Sequence, residues 1–332
     1  MVRRVTPRLH QRHPELTESM HHVPLGTGPT PVRRLEGLER GAAELWLKDD
    51  GAYGDGGWGG NKVRKLEWIL PEAERRRART ILTFGGLGTN WGLATALYGR
   101  DRGLGTALVL LDQPVDDHVR AQQQRLKASG AALHYTHTKP RTAAMMPWLM
   151  ARHSGGGRPP YLQPPGGSSA VGSMGYVEAA YEIADQVGAG ELPAPSHVVT
   201  TVGSGGTAAG LALGLALAGL EATVVGIVVN DGLRLDTPAL TRLAGRTRRL
   251  LADRGATVGE PHLRLRSLDG WMGPGYGHPT DESSEAIALA RSEDLALDPV
   301  YTAKTMAAVL DMAAQGRFGS GPVLYVHTDG PR

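Results

Sequence analysis

The sequence predicts an α/β protein built on mostly parallel sheets. Three observations carry that expectation. Short apolar segments alternate with stretches of helical period, several of those segments are continuously apolar, and two of them run directly into glycine-rich turns that open a helix. Continuous apolar runs are what strands need when helices cover both faces of their sheet.

Taken in chain order, the strand segments are ELWLK (44–48), TILTF (80–84), TALVLL (106–111), ALHYT (132–136), HVVTTV (197–202), TVVGIVV (223–229) and VLYVHT (323–328). Helical spacing lies between them, over 64–77, 90–102, 116–129, 175–187, 206–218, 281–293 and 303–314. The stretch TAAGLALGLALAG is apolar on every side and is expected in the interior. TRLAGRTRRLLADRG (241–255) sets Leu243, Leu250 and Leu251 against a wet arginine face; no aromatic residues interleave with the arginines, which argues against a nucleic-acid surface. The segments HSGGGRPP (153–160) and QPPGG (163–167) read as linkers. They divide the chain into residues 1–65 plus 163–332 as a large domain and 66–162 as a small one, with the site between them.

At 332 residues the chain is long enough for a sizeable core and two lobes. Phe occurs twice while Gly and Ala abound, so the core is aliphatic and packed with small residues. Cysteine is absent, which excludes disulfides, thiolate metal sites and cysteine nucleophiles; no metal site is expected. The net charge of +3 is small for this length and names no polyanionic partner. MVRRVTPRLHQRHPEL has no apolar core and is not expected to be a signal peptide; the longest apolar run is too short to cross a membrane. A cytoplasmic protein with neither nucleic-acid nor membrane partners is expected.

Three segments can carry chemistry. VGSGGTAAG (202–210) follows a strand and opens the apolar helix, so its backbone N–H groups, with the hydroxyls of Ser204 and Thr207, form an anion cradle. It also satisfies G-x-G-x-x-A, so a dinucleotide and a plain tight turn both remain open on this segment alone. FGGLGTNWGLAT (84–95) repeats the strand–glycine–helix arrangement; Thr89 or Asn90 either caps the helix or helps its free N–H groups hold a carboxylate. GGWGGNKVRKLEWIL (56–70) leads through four glycines to Lys62. A lysine at a helix start is ordinarily a solvated charge, whereas burial beside glycine backbone would lower its pKa and suit Schiff-base chemistry.

Together, GGNKVRKLE, GGLGTNW, PPGGSSAVGSMGYVEAAYEI, VGSGGTAAGL, GPGYGHPTDE, DPVYTAK and LYVHTDG resemble, in order and over nearly the whole chain, the pyridoxal-phosphate-dependent D-cysteine desulfhydrase and 1-aminocyclopropane-1-carboxylate deaminase family. The resemblance implies the tryptophan synthase β-like fold (fold type II), with two open twisted mostly parallel sheets flanked by helices, and a homodimer. It implies pyridoxal 5'-phosphate as cofactor and a small amino acid as substrate. Lys62 matches the lysine that bonds the cofactor aldehyde and later moves the Cα proton. Asn90 matches the partner of the cofactor's phenolic oxygen, Thr89 stands where the family binds the substrate carboxylate with serine, and Gly203, Ser204, Gly205, Gly206 and Thr207 match the phosphate loop. Tyr276 and Tyr301 match two tyrosines facing the substrate, catalytic and substrate-binding at once. The opening glycines then read as backbone kept clear for a planar ring.

The branch of the family follows from the ring-nitrogen partner. The deaminase pattern carries glutamate after DPVY and leucine after the last-strand histidine; Thr302 and Thr328 stand there instead, as in the desulfhydrase branch. Thr328 is expected at the ring nitrogen, unless both threonines only cap or pack. The expected reaction is α,β-elimination on a small amino acid, giving pyruvate, ammonia and a leaving group such as sulfide. Three departures keep other outcomes open. Trp91 replaces the usual His or Gln beside the substrate, GAYGDGGWGG is longer and richer in glycine than the family's loop, and Asp329 replaces the first glycine of HTGG. If the Asp329 carboxylate reaches the ring nitrogen, the argument from Thr328 reverses. Cyclopropane deaminase, racemase and β-replacement synthase remain alternatives, as does a non-catalytic cofactor- or ligand-binding protein.

Overall fold

A computed structural model describes residues 6–54 and 58–329. Ten strands form two sheets. They are β1 (Val32–Arg34), β2 (Leu45–Asp49), β3 (Thr80–Gly86), β4 (Gly105–Leu111), β5 (Ala132–His137), β6 (Tyr161–Leu162), β7 (His197–Val202), β8 (Thr223–Val228), β9 (Leu265–Leu268) and β10 (Val323–His327). The larger sheet runs β1-β2-β10-β7-β8-β9 and is parallel except for the β1–β2 pair. The smaller runs β5-β4-β3-β6 and is parallel throughout.

The helices are α1 (Arg8–Arg12), α2 (Asn61–Arg75), α3 (Asn90–Arg100), α4 (Asp117–Ala128), α5 (Lys139–Arg152), α6 (Ala170–Gly188), α7 (Gly206–Leu217), α8 (Thr237–Asp253), α9 (Asp281–Ala290) and α10 (Thr302–Ala314). All seven expected strands and all eight expected helical stretches form. Their edges move where local chemistry intervenes. α2 begins at Asn61, so Lys62 sits in its first turn, and α6 begins at Ala170 because Ser169 caps it, its hydroxyl accepting from the Gly172 N–H at 3.1 Å.

The elements absent from the sequence reading are β1, β6, β9, α1 and α5. The three strands have four residues or fewer, too short for a period to show. α5 carries Pro140 in its first turn, where a missing N–H costs nothing, and Pro147 in its middle.

α7 is buried on every side, as its composition demands. α6 lies between α2 and α7, and small residues let the backbones close. A Cβ on Gly175 would lie 2.2 Å from the Arg64 carbonyl oxygen, so α6 holds the first turns of α2 by direct backbone approach. Beneath that contact is a buried charge cluster. Arg64 donates to Asp50 at 2.7 Å and to Glu182 at 2.9 Å, and Lys48 donates to Glu182 at 2.7 Å. Burial alone would raise the Glu182 pKa, but the Arg64 and Lys48 charges outweigh it and hold the carboxyl well below its usual range. Among the described residues no helix is long and apolar enough to cross a membrane.

Candidate functional site

The carboxyl ends of β3, β7 and β10 open into one cavity lined from both sheets, at the position where open α/β sheets leave a crevice. Lys62, Thr89, Asn90, Trp91, Gly203, Ser204, Gly205, Thr207, Tyr276, Tyr301, Thr302 and Thr328 all line it. Gly206 does not: its N–H is taken by the Ser168 hydroxyl at 2.9 Å, and that hydroxyl donates to Ser204 at 2.8 Å. Ser168 belongs to the PPGG turn and was not singled out by its sequence, since a serine after glycines reads as loop.

Lys62 enters from the first turn of α2. Its amine donates to the Asn61 carboxamide at 2.7 Å, and Tyr176, which hydrogen-bonds Asn61, donates to Asp50 at 2.7 Å. The Lys62 amine is therefore tied, through one amide and one phenol, to the buried charge cluster below α2. Of the four glycines before it, the two that are described serve the backbone rather than the cavity. Asp55–Gly57 lie outside the described residues; Gly59 and Gly60 have φ of +109° and +40°, and a Cβ on Gly59 would meet Ala94 of α3 at 2.8 Å. They allow the tight entry into α2 and its contact with α3, and neither lines the cavity.

Lys65, three residues on along α2, lines the same cavity. Its amine donates to the Gly166 carbonyl at 3.0 Å, and Gly166 abuts Ser204, whose hydroxyl lies 2.1 Å from where a Gly166 Cβ would sit. Burial, reinforced by the Lys62 charge, pulls the Lys65 pKa down to about 7. The spacing Lys62–Lys65 was available in the sequence as an i,i+3 pair on one helix face. Around Ser204 the structure assembles hydroxyls, a helix start and a desolvated cation. This donor set fits a phosphoryl group, and a primary amine stands in the same cavity wall for an aldehyde. Asn230 holds the loop, donating to the Gly203 carbonyl at 2.9 Å.

Thr89 caps α3, its hydroxyl accepting the Gly92 N–H at 3.1 Å, and lines the cavity as well. Asn90 follows as the first residue of α3, with its carboxamide oxygen accepting from Gln122 at 2.7 Å. Trp91, expected to touch substrate, is 3% exposed and packs into the core; its indole N–H donates inward to Thr83 at 2.9 Å. It shapes the cavity wall with its ring, having no polar atom left to offer.

On the far wall the hydroxyls of Tyr276 and Tyr301 bond to each other. Burial raises the Tyr276 pKa, so its phenol stays protonated through neutral pH. Asp298 accepts the Tyr301 N–H at 2.6 Å and fixes the turn that carries it. The Thr302 hydroxyl accepts the Asp298 N–H at 2.7 Å, so this threonine braces the turn that leads into α10. Thr328 follows β10 and lines the cavity, and Asp329 lines it too, half-buried rather than facing bulk water.

Residues 23–329 match the family model described as pyridoxal-phosphate dependent enzyme. The D-cysteine desulfhydrases of Salmonella choleraesuis and Salmonella enteritidis are each 35% identical over 312 residues, covering 91% of this chain and 92% of theirs. Among solved structures, an ACC deaminase homologue superposes with a TM-score of 0.80 at 30% identity, covering 98% of this chain and 95% of that one. A hydrogen sulfide-producing enzyme from Fusobacterium nucleatum, with a TM-score of 0.60 and 14% identity, covers 92% of this chain and 94% of its own and shares the fold.

Proposed function

The chain belongs to the pyridoxal-phosphate dependent enzymes, and from that premise we propose that it is a lyase catalysing α,β-elimination on a small amino acid, releasing pyruvate, ammonia and a leaving group such as sulfide. The observation that carries the reading is the meeting of Lys62, the Ser204 loop, the Thr89–Asn90 helix start and the Tyr276–Tyr301 pair around one cavity. D-cysteine is the first substrate to try, given the desulfhydrases among its relatives.

Lys62 would hold the cofactor by its aldehyde carbon. Ser204, Gly205, Thr207 and Lys65 would hold the phosphoryl tail, and Asn90 would serve the phenolic oxygen. When bound, pyridoxal phosphate supplies an electron sink for the pair left at Cα. Everything else falls to the chain's own groups. Thr89 and the N–H groups at the start of α3 bind the substrate carboxylate. The Lys62 amine, once free of the cofactor because the substrate amine has replaced it, and steered by Asn61, would take the Cα proton. The protonated Tyr276 phenol, bonded to Tyr301, donates to the departing group. Thr328, which lines the cavity, would serve the ring nitrogen. Asp329 in the cavity favours a second reading, in which its carboxylate takes that position and the outcome shifts toward racemisation or ring opening.

The proposal includes a cytoplasmic homodimer, with residues 66–162 and 1–65 plus 163–332 as domains facing each other across the cavity. Incubating the holoenzyme with D- and L-amino acids, following its visible absorbance and assaying pyruvate, 2-oxobutyrate, sulfide and the recovered enantiomer tests the chemistry. Pyruvate and sulfide from cysteine support it. A coloured protein that exchanges no Cα proton of any amino acid in deuterated water refutes it and leaves a binding protein.

A further inference from the structure

We infer that Gln122 is a positioning residue that decides which end of the Asn90 carboxamide faces the cavity, and that Arg125 and Trp58 hold Gln122 in turn. The inference rests on the reading above, in which Asn90 meets the phenolic oxygen of the cofactor.

The argument starts from polarity. α4 turns Val119, Gln122 and Leu126 inward, and Gln122 is fully buried between two aliphatic neighbours. A buried amide there needs partners for both ends. Arg125, one turn on, donates from its guanidinium to the Gln122 carbonyl oxygen at 3.2 Å. A guanidinium has no acceptor, so this contact admits one orientation of Gln122 only, with its NH₂ group pointed away from Arg125. That NH₂ donates to the Asn90 oxygen at 2.7 Å. With its oxygen turned to Gln122, Asn90 is set to offer its NH₂ group to the cavity it lines. A donor is what a deprotonated ring oxygen requires; the opposite orientation would set two acceptors face to face.

The chain of contacts continues outward. The Arg125 guanidinium lies over the Trp58 ring at 4.2 Å, and Trp58 stands in the glycine-rich loop that leads into Lys62. Trp58 packs beside Leu93 and Leu97 of α3, the helix that Asn90 opens. The loop before the reactive lysine and the donor for the ring oxygen are thus fixed by one set of contacts.

The test uses the holoenzyme and reads the pH midpoint of its visible band, which follows protonation of the bound cofactor. Loss of a donor to the deprotonated form raises that midpoint. Gln122→Glu accepts at both oxygens and turns the Asn90 oxygen toward the cavity; the midpoint is expected to rise by about one pH unit and pyridoxal phosphate affinity to fall roughly tenfold. Gln122→Met, which carries no charge, separates the orientation of the amide from the field of a carboxylate and is expected to shift the midpoint the same way by less. Arg125→Met frees Gln122 to rotate and serves if either Gln122 variant fails to fold. Asn90→Ala is the reference. If it moves the midpoint and folded Gln122 and Arg125 variants do not, the positioning role is overturned while the reading of Asn90 stands. If Asn90→Ala itself leaves the midpoint unmoved, the contact between Asn90 and the cofactor is what fails.

Discussion

The Lys65 amine lies 3.0 Å from the Gly166 carbonyl, in the wall of the cavity and one helical turn along α2 from Lys62. Its pKa, pulled down to about 7 by burial and by the Lys62 charge, leaves the amine largely neutral just above neutral pH until an anion arrives.

Binding a phosphoryl group should restore that proton. Inorganic phosphate added to cofactor-free protein near pH 8.5 is expected to take up close to one proton, read by calorimetry in buffers of different ionisation heat. Lys65→Met should abolish the uptake and weaken phosphate binding. The same shift sets a stability trend. The folded pKa lies below the unfolded one of 10.5, so between about 7 and 10 the unfolded chain holds the extra proton and the stability of the cofactor-free protein rises with pH; below 7 the penalty is fully present. Proton uptake unchanged in Lys65→Met would place the titrating group elsewhere.

Lys62 should carry the covalent link. Borohydride reduction of the coloured holoenzyme, followed by peptide mapping, is expected to put the added mass on Lys62, and Lys62→Ala should lose the visible band. A persistent band in that variant removes the premise of the mechanism.

The two phenols are expected to act on the chemical step rather than on cofactor binding. Tyr276→Phe and Tyr301→Phe are each expected to lower kcat by about 10²-fold or more, the usual worth of a positioned proton donor, with the pyridoxal phosphate Kd unmoved. Weakened cofactor binding with kcat intact would make the pair structural.

Thr328 and Asp329 both line the cavity, and the two readings of the ring-nitrogen partner predict different variants. Thr328→Val is expected to lower kcat roughly tenfold, the loss of one hydrogen bond to a reacting ring, and Asp329→Asn to change it by less. The reverse order, with racemisation lost in Asp329→Asn, would make the carboxylate the ring partner.

Arg64 anchors the helix that presents Lys62. It is 1% exposed and paired with Asp50 and Glu182, so Arg64→Met leaves the buried Asp50 carboxylate without its cation and takes one of the cations that face Glu182. A loss of about 3–5 kcal/mol in unfolding free energy is expected by denaturant titration. Glu182 contributes with the opposite sign to Lys65. Its depressed pKa gives stability that is present above the ordinary glutamate range and lost as pH falls through the acid range, more steeply in wild type than in Glu182→Gln.

What the sequence alone determined was the class of fold and the groups whose chemistry is written in local motifs. Short apolar segments between helical stretches marked seven strands within a residue or two, because the pattern of burial along a strand is largely a property of each segment by itself. Lys62, Asn90, the 203–207 loop and the paired tyrosines were legible because a glycine-rich strand–helix turn is a local device, and because their order matched one family. The tertiary structure decided how those groups are held. It gave Gly206 N–H to Ser168, turned the Trp91 indole inward to Thr83, and brought Lys65 to Gly166 and Gln122 to Asn90. Gln122 and Asn90 stand 32 residues apart on different helices. Periodicity reports whether a side chain is buried; which distant group completes its hydrogen bonds is set only when the helices close on one another, since a polar atom removed from water must find its partner in whatever the packing places beside it.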